Sequence, residues 1–526
     1  MTDTRQFSRR NVIAGGTALG MALLGGAQHP ALAQTGTPRK GGRLRVSVAE
    51  RTASLNPFVQ LNSTGYLLNE MLYQGITRLD GEMKPHGDAV ESWQANAELT
   101  EYTFKMRAGI AFHDGSPARA ADAAASIKAV LDPKNSSPAM RSIGPVQDVS
   151  VVDEQHFKVT LKSRDANLPV SLAHINLRLI PQAILEGDTK VLETAVHGSG
   201  PFKLDRHEPG RRTFVVRSEN YFNPDYPRLD ALEVAIYPDA AAEAAAFLNG
   251  ESDVMLRVGN ADYGRISKAR NIVGRRQQTG GFMTIVMRND ADPFKDVKVR
   301  QAIRLCLDRN ALQEIVLEGY GRAAYDNPIS PEYQFGLKLE PFQPDHAQAR
   351  KLLAEAGHSK GIRFTCYASN SPKERATLAV AFKEMVKPAG IEVDVQVVPY
   401  DEYVANVWKK AACYVALWNM APTEDGLFTQ FLTSDAPYND SGYKKPEFDK
   451  LIADARATVD EKERAQKYAE AQKMLMEDLP WLVPFYRDYL SAHGRYVNEY
   501  TSHPLIHPHF MERTWLADGA PARTRS

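Results

Sequence analysis

The sequence predicts an α/β protein built from more than one structural unit, and three observations carry that prediction. From Leu312 onward, helical and strand-like stretches alternate, which is the pattern of an α/β architecture. A chain of 526 residues, 43% of them hydrophobic, outgrows a single core, because cores stop growing near ~250–300 residues. The stretch from Gly280 to Leu312 shows the unit in miniature: an apolar strand, GGFMTIVMRND, then a PFKD turn punctuated by Pro293 and Asp296, then a helix expected to run on through VKVRQAIRLCLDRNAL. Val299, Ile303, Leu305, Leu307 and Leu312 mark the expected buried side of that helix, and Lys298, Arg300, Arg304 and Arg309 its expected wet side.

Composition removes several classes of function. Lys plus Arg balances Asp plus Glu at 64 each, which gives no reason to expect nucleic acid and argues against a polybasic membrane anchor. Cys306, Cys366 and Cys413 are too few and too scattered for a disulfide framework or a thiolate metal site, and three buried thiols are expected. No cofactor is implied.

The first segment reads as an address. Ser8-Arg9-Arg10-Asn11-Val12-Ile13 is a twin-arginine pattern, followed by a glycine-broken apolar run to Gly26 and a small-x-small site at Ala31-Leu32-Ala33. A signal peptide over residues 1–33 is therefore expected, with export to the periplasm and a mature start near Gln34. The run is shorter than the ~20 apolar residues of a membrane span, so no direct membrane insertion is expected.

The elements then follow in order. Gly41 to Val48 alternates as a strand stopped by Leu55-Asn56-Pro57, and Tyr66 to Thr77 is spaced as a helix ending at Gly75. Glu101 to Arg107 alternates as a strand and leads into GIAFHDGSP. Within it, Phe112-His113-Asp114-Gly115-x-Pro117 reads as a turn whose glycine supplies positive φ, with Asp122 as the N-cap of the next helix. Val146 to Leu161 reads as a hairpin. Gly198-x-Gly200-Pro201-Phe202 lacks the Lys-Ser/Thr of a phosphate loop and precedes a strand. Beyond Leu312 come helices at Asp345–Gly357, Arg375–Gly390, Asp401–Lys410 and Glu461–Leu475, interleaved with strands at Gly361–Ala368, Ile391–Val398, Tyr414–Trp418 and Trp481–Tyr486.

Four of these runs carry a resemblance: the GG-x-L-R start with Leu-Asn-Pro, Phe112-His113-Asp114-Gly115-x-Pro117, Gly198-x-Gly200-Pro201-Phe202, and Pro293-Phe294-x-Asp296-x-x-Val299-Arg300-Gln301-Ala302 closing with Asp308-Arg309. In that order, over about residues 41 to 515, the chain resembles the extracytoplasmic solute-binding proteins of ABC importers, family 5, which take up peptides, nickel chelates and opines. Two departures stand out, Ala118-Arg119-Ala120 and Ala97-Glu98, where members carry an apolar residue with Thr and an acidic-Gly turn.

The resemblance implies the two-lobed type II periplasmic-binding-protein fold, class C. Lobe I would span 34–285 with an extra subdomain about 85–200, lobe II would span 286–485, and 486–526 would return to lobe I, the lobes being hinged by two strand crossings. It also implies a monomer that captures a small peptide-like or oligo-functional solute and delivers it to an ABC permease. A metal-chelate binder is the alternative, and a periplasmic hydrolase or sensory subunit a remote one. No nucleophile elbow, His-Glu-x-x-His or Walker motif supports catalysis.

The candidate ligand residues come from the same resemblance. Solute would sit beside Trp418 and Asn419; peptide binders carry an ammonium-anchoring Asp three residues after the Trp, where this chain has Ala421. Glu424 and Asp425 are the nearby substitutes. Arg178, a charge inside the apolar run Asn176–Ile180, matches the place where nickel-chelate binders hold a carboxylate and suits an anionic solute. Tyr66 and Tyr486 are further candidates. His503, His507 and His509 are spaced for a metal, but Pro504 and Pro508 make that stretch a loop.

Overall fold

The computed structural model describes residues 37–52, 54–505, 507–509 and 511–522. The expected signal peptide lies outside the described residues. No described helix is long and apolar enough to cross a membrane.

Among the described residues, eleven strands share one mixed sheet. Its order runs from the parallel pair Ile391–Val398 and Ile362–Ser369, through Cys413–Trp418, to the long strands Ile272–Met287 and Trp481–Gly494. It continues through Val254–Met255 and Arg43–Val48 to Ala231–Ile236 and the hairpin of Phe202–Glu208 with Arg212–Arg217. The two long strands are antiparallel partners over most of their length, and they are the two crossings. One end of the sheet packs on a core containing Leu44, Val46, Phe58, Leu67 and Val234. At the other end the two faces are covered separately, one by Met283, Ile285, Val299 and Phe382, the other by Phe282, Tyr414, Phe428 and Trp481. Separate cores thus sit on one continuous ribbon, as a two-lobed fold joined by crossing strands requires.

The pairing of the crossing strands is interrupted between Gln278 and Phe282, at Thr279-Gly280-Gly281. Thr279 Oγ1 donates to the Arg487 carbonyl at 2.6 Å and accepts from the Gly281 amide at 3.0 Å, so the irregularity is held by side-chain bonds. A Cβ on Gly280 would lie 2.8 Å from both Met420 Cγ and Ser330 Oγ, which explains the glycine. A four-stranded antiparallel sheet, Val90–Ala95, Glu101–Met106, His156–Leu161 and Val146–Val151, forms the subdomain on the first lobe.

The sequence motifs have structural explanations. Gly115 has φ +88° and closes the turn in which Asp114 Oδ1 accepts from the Ser116 amide at 2.9 Å. His113 is held against the Gly200 carbonyl at 3.1 Å, and burial lowers its pKa to about 4, so it stays neutral. Gly198 passes the Leu72 carbonyl so closely that a Cβ would lie 1.9 Å from its oxygen.

Four expectations need correction. The helix after Pro293 is not continuous: Val297–Arg304 stops, and Asp308 caps a second helix, Arg309–Leu317, by accepting from the Ala311 amide at 2.9 Å. Arg300 and Arg309 are buried, not wet. Arg300 Nε donates to the Asp478 carbonyl at 2.9 Å, and Arg309 lies between the Asp326 carboxylate and the Phe342 ring at 4.2 Å. Asp122 is the third residue of its helix, reaching back to the Arg119 amide at 2.8 Å, while Arg119 holds the cap position. The expected helix Asp401–Lys410 is one turn, Tyr400–Glu402, followed by a widened turn, Tyr403–Val407, that Lys409 ends at φ +60°. The three cysteines are buried and unbridged.

Candidate functional site

Antiparallel pairing sets Trp418 opposite Phe282, and the alternation of side chains then decides which residues meet solvent. Trp418 turns inward, its ring 4.5 Å from that of Phe431 and 6.2 Å from that of Trp408. Its neighbours Leu417 and Asn419 face the other way and line a cleft of about 190 Å³. The opposite wall carries Glu50, Asn62, Tyr66 and Arg257 from the first lobe. The floor is Thr279 with Arg487 and Asp488 of the crossings, and the rim is Pro372 and Glu374 at the start of the helix Glu374–Val386.

The charges in this cleft are unequally matched. Arg257 donates to Glu50 at 2.8 Å, and Asp488 pairs with Arg276. Among the described residues Arg487 has no carboxylate partner: its Nη2 donates to the Asn419 Oδ1 at 3.4 Å, and its buried Nε has no hydrogen-bond acceptor. Burial, and then the nearby Arg257 charge, lower Arg487 to about 9, so it is still a cation at neutral pH. A half-buried guanidinium held this way is a preorganised donor for a carboxylate or other anion. Tyr66 stands across from it, its hydroxyl pushed up to about 12 by burial and then by the Glu50 charge.

The structure thus brings Tyr66 and Asn419 together in the cleft and places Trp418 in the wall behind. It puts the other expected ligand residues elsewhere. Arg178 is buried, donating to Glu70 at 2.8 Å and to the Ile175 carbonyl at 2.8 Å. Tyr486 donates its hydroxyl to the Asn327 and Ile329 carbonyls at 2.7 and 3.0 Å. Glu424 accepts from the Phe335 amide at 2.6 Å and burial raises it to about 7; Asp425 accepts from Arg456 at 3.0 Å. Ala421 is buried, and its amide donates to the Tyr333 hydroxyl at 2.9 Å. His503 is buried against the Asp80 carbonyl at 2.9 Å, and the side chains of His507 and His509 lie outside the described residues. Among the described residues no three His, Cys, Asp or Glu side chains are grouped to hold a metal ion.

Sequence reasoning missed Arg487. The signal was present in WLVPFYRDYLSAHG, an apolar run interrupted by an Arg-Asp pair, which is the same cue that singled out Arg178.

A second opening, about 570 Å³, lies where the first-lobe residues Gly144, Asp165 and Ser171 face Asp425, Thr429 and Arg456 of the second lobe. Here the Ala166 amide donates to the Arg456 carbonyl at 3.2 Å, and Asn167 Nδ2 to the Tyr468 hydroxyl at 3.3 Å. Burial, and then the Asp425 charge, raise Asp165 to about 7.

Comparison with known proteins agrees with this fold. Residues 84–440 match the family described as bacterial extracellular solute-binding proteins, family 5. The chain is 26% identical over 510 residues to the oligopeptide-binding protein AppA of Bacillus subtilis, covering 92% of this chain and 93% of that one. It is 25% identical over 461 residues to the glutathione-binding protein GsiB of Escherichia coli K12, covering 86% and 90%. The solved structure of AgaA from A. tumefaciens, in complex with agropinic acid, superposes with a TM-score of 0.77 at 23% identity, over 90% of this chain and 99% of that one.

Proposed function

We propose, for a chain that belongs to the bacterial extracellular solute-binding proteins of family 5, that the cleft between Asn419 and Tyr66 captures a small peptide-like or oligo-functional solute bearing an anionic group. Arg487, rather than Arg178, is then the charge partner of that group. Lobe closure about the crossings buries the solute, and the loaded protein delivers it to an ABC permease as a monomer exported through its twin-arginine signal. The observation that carries this reading is the Arg487 guanidinium on the cleft floor with only an amide oxygen beside it. Removing a cation from water without a partner is costly, and a solute carboxylate supplies the missing acceptors when the lobes close. Arg178 already has Glu70 and offers no such vacancy.

A nickel-chelate cargo is less well supported, because the cleft presents no imidazole among its lining residues. The reading is tested by the melting temperature of the mature protein and of Arg487→Gln across peptides, glutathione, opine-like acids and nickel–histidine. An anionic compound at 100 times its Kd adds about 2.7 kcal/mol to stability. The wild type should be stabilised by at least one acidic compound and the variant should not. Equal stabilisation of both proteins, or stabilisation only by uncharged compounds, would reject Arg487 as the anion partner. Turnover of any compound would favour the hydrolase.

A further inference from the structure

Away from the cleft the two lobes touch at the second opening, and the contact is short of positive charge. Its first-lobe side is the tip Asp165-Ala166-Asn167. The Ala166 amide donates to the Arg456 carbonyl at 3.2 Å and Asn167 Nδ2 to the Tyr468 hydroxyl at 3.3 Å, so both bonds across the gap stand beside one acid. Asp165 is 2% exposed and is pinned where it sits. Its amide donates to the Leu99 carbonyl at 3.1 Å, its carbonyl accepts from the Tyr102 hydroxyl at 2.7 Å, and its Oδ1 accepts from the Asn167 amide at 2.8 Å. The other carboxyl oxygen lies against Gly144, where a Cβ would come within 2.7 Å of it. The side chain therefore has no room to swing aside when the lobes meet.

The charges that face Asp165 from the second lobe are already committed. Arg456, the last residue of the helix Pro446–Arg456, gives its Nε and Nη2 to Asp425, each at 3.0 Å. Arg464 lies over the Phe335 ring at 5.4 Å, with Nη1 at 3.5 Å from the Thr458 carbonyl. Glu424 is held within the second lobe by the Phe335 amide. On the first lobe stand the Tyr102 hydroxyl and, next in sequence, the exposed Arg164. Among the described residues, then, two second-lobe guanidiniums meet three buried carboxyls, and closing the lobes sets Asp165 beside an Asp425 that has taken the nearer cation. Burying a carboxylate without a partner is costly, and a proton removes the cost.

We propose that Asp165 is a proton-operated latch between the lobes: neutral, it lets the tip dock on Arg456 and Tyr468, and ionised, it holds the lobes apart. The closed contact raises its carboxyl to about 7, whereas parting the lobes returns it to water and toward the ordinary value near 4. The closed state binds a proton that the open state releases. Its advantage is therefore fully present below about pH 4 and is lost as pH rises through about 7. The latch acts on the lobes whatever enters the cleft, so it stands apart from the proposed role of Arg487.

Distances between two spin labels test it on the ligand-free mature protein. The labels go on Lys134→Cys in the first lobe and Lys450→Cys in the second, both exposed, while the three native thiols are buried. Between pH 5.5 and pH 8 the closed-to-open ratio of the otherwise wild-type protein should fall about 10-fold or more. Asp165→Asn, a neutral side chain of the same shape, should change by less than about 2-fold and stay at the acid-side ratio at both pH values. Glu424→Gln, whose acid is bonded within its own lobe, should follow the wild type. An unchanged distance distribution in the wild type, a wild-type shift retained by Asp165→Asn, or a shift abolished by Glu424→Gln alone would overturn the inference. Because no solute is added, none of these results bears on capture at Arg487.

Discussion

Two regions of this protein place an arginine inside an apolar run, and they use it in opposite ways. Around Arg178 the first lobe supplies what the guanidinium needs: the Glu70 carboxylate and the Ile175 carbonyl. Around Arg487 the crossing strand delivers the same side chain to a cleft floor where Asp488 is already taken by Arg276 and only Asn419 is within reach. The first arginine is finished when the chain folds. The second keeps an unpartnered Nε, and on the proposed reading a solute completes it; burial of a charged donor without a partner marks a binding surface more clearly than the charge itself does.

The largest expected effect tests the finished side of the comparison. Arg178→Met should cost about 3 kcal/mol of unfolding free energy, because it strands the part-buried Glu70 carboxylate; Arg78, 3.8 Å from Glu70, keeps the loss toward the low end. Arg487→Met, in the same urea titration, should cost nothing or stabilise the ligand-free protein. Equal losses at both sites would erase the distinction. In binding the order reverses: Arg487→Met should weaken an acidic solute by about 30-fold or more in calorimetry, the expected consequence of removing one member of a desolvated charge pair.

A third effect concerns pH and the interlobe contact at Asp165. Asp165, Glu424 and Asp440 are raised to about 7 and Glu243 to about 8, all chiefly by burial, while their unfolded values lie near 4. The folded state then holds protons that the unfolded chain releases. Stability should therefore rise as pH falls from 8 toward 5, by on the order of 1 kcal/mol per pH unit for each group. His113 and His493, lowered to about 4 by burial, act in the opposite sense below about pH 6.5 and flatten the gain. Asp165→Asn should remove its share of the slope in melting curves taken across this range; an unchanged slope would show that Asp165 does not titrate there.

The smallest effect is at the turn that most invites a catalytic reading. His113→Ala should cost about 1 kcal/mol for the lost Gly200 hydrogen bond and leave solute affinity unchanged. A change in affinity would connect that turn to the cleft.

Much of the fold was legible because local rules and global packing agree. Asp-Gly and Gly-x-Gly turns each mean one thing, and the crossing strand announced itself by its apolar run. The misreading of the arginines has one cause: a long side chain can satisfy backbone carbonyls in the interior while its spacing suggests a wet face. Arg300 and Arg309 do so, and periodicity counts only their charge. The site was half legible. Asn419 and Tyr66 follow from position, but the one-residue alternation that turns Trp418 into the wall and Asn419 into the cleft depends on strand register. Whether Arg178 or Arg487 has a partner depends on residues about 108 and 68 positions away in sequence, Glu70 and Asn419, and no local pattern contains that.

The most direct test is a crystal structure of the mature protein with the tightest-binding acid from the melting panel. The account predicts closed lobes, with a solute carboxylate within about 3 Å of the Arg487 guanidinium and Asn419 beside it. A solute bound against Trp408 or Arg178, with Arg487 still facing water, would contradict it.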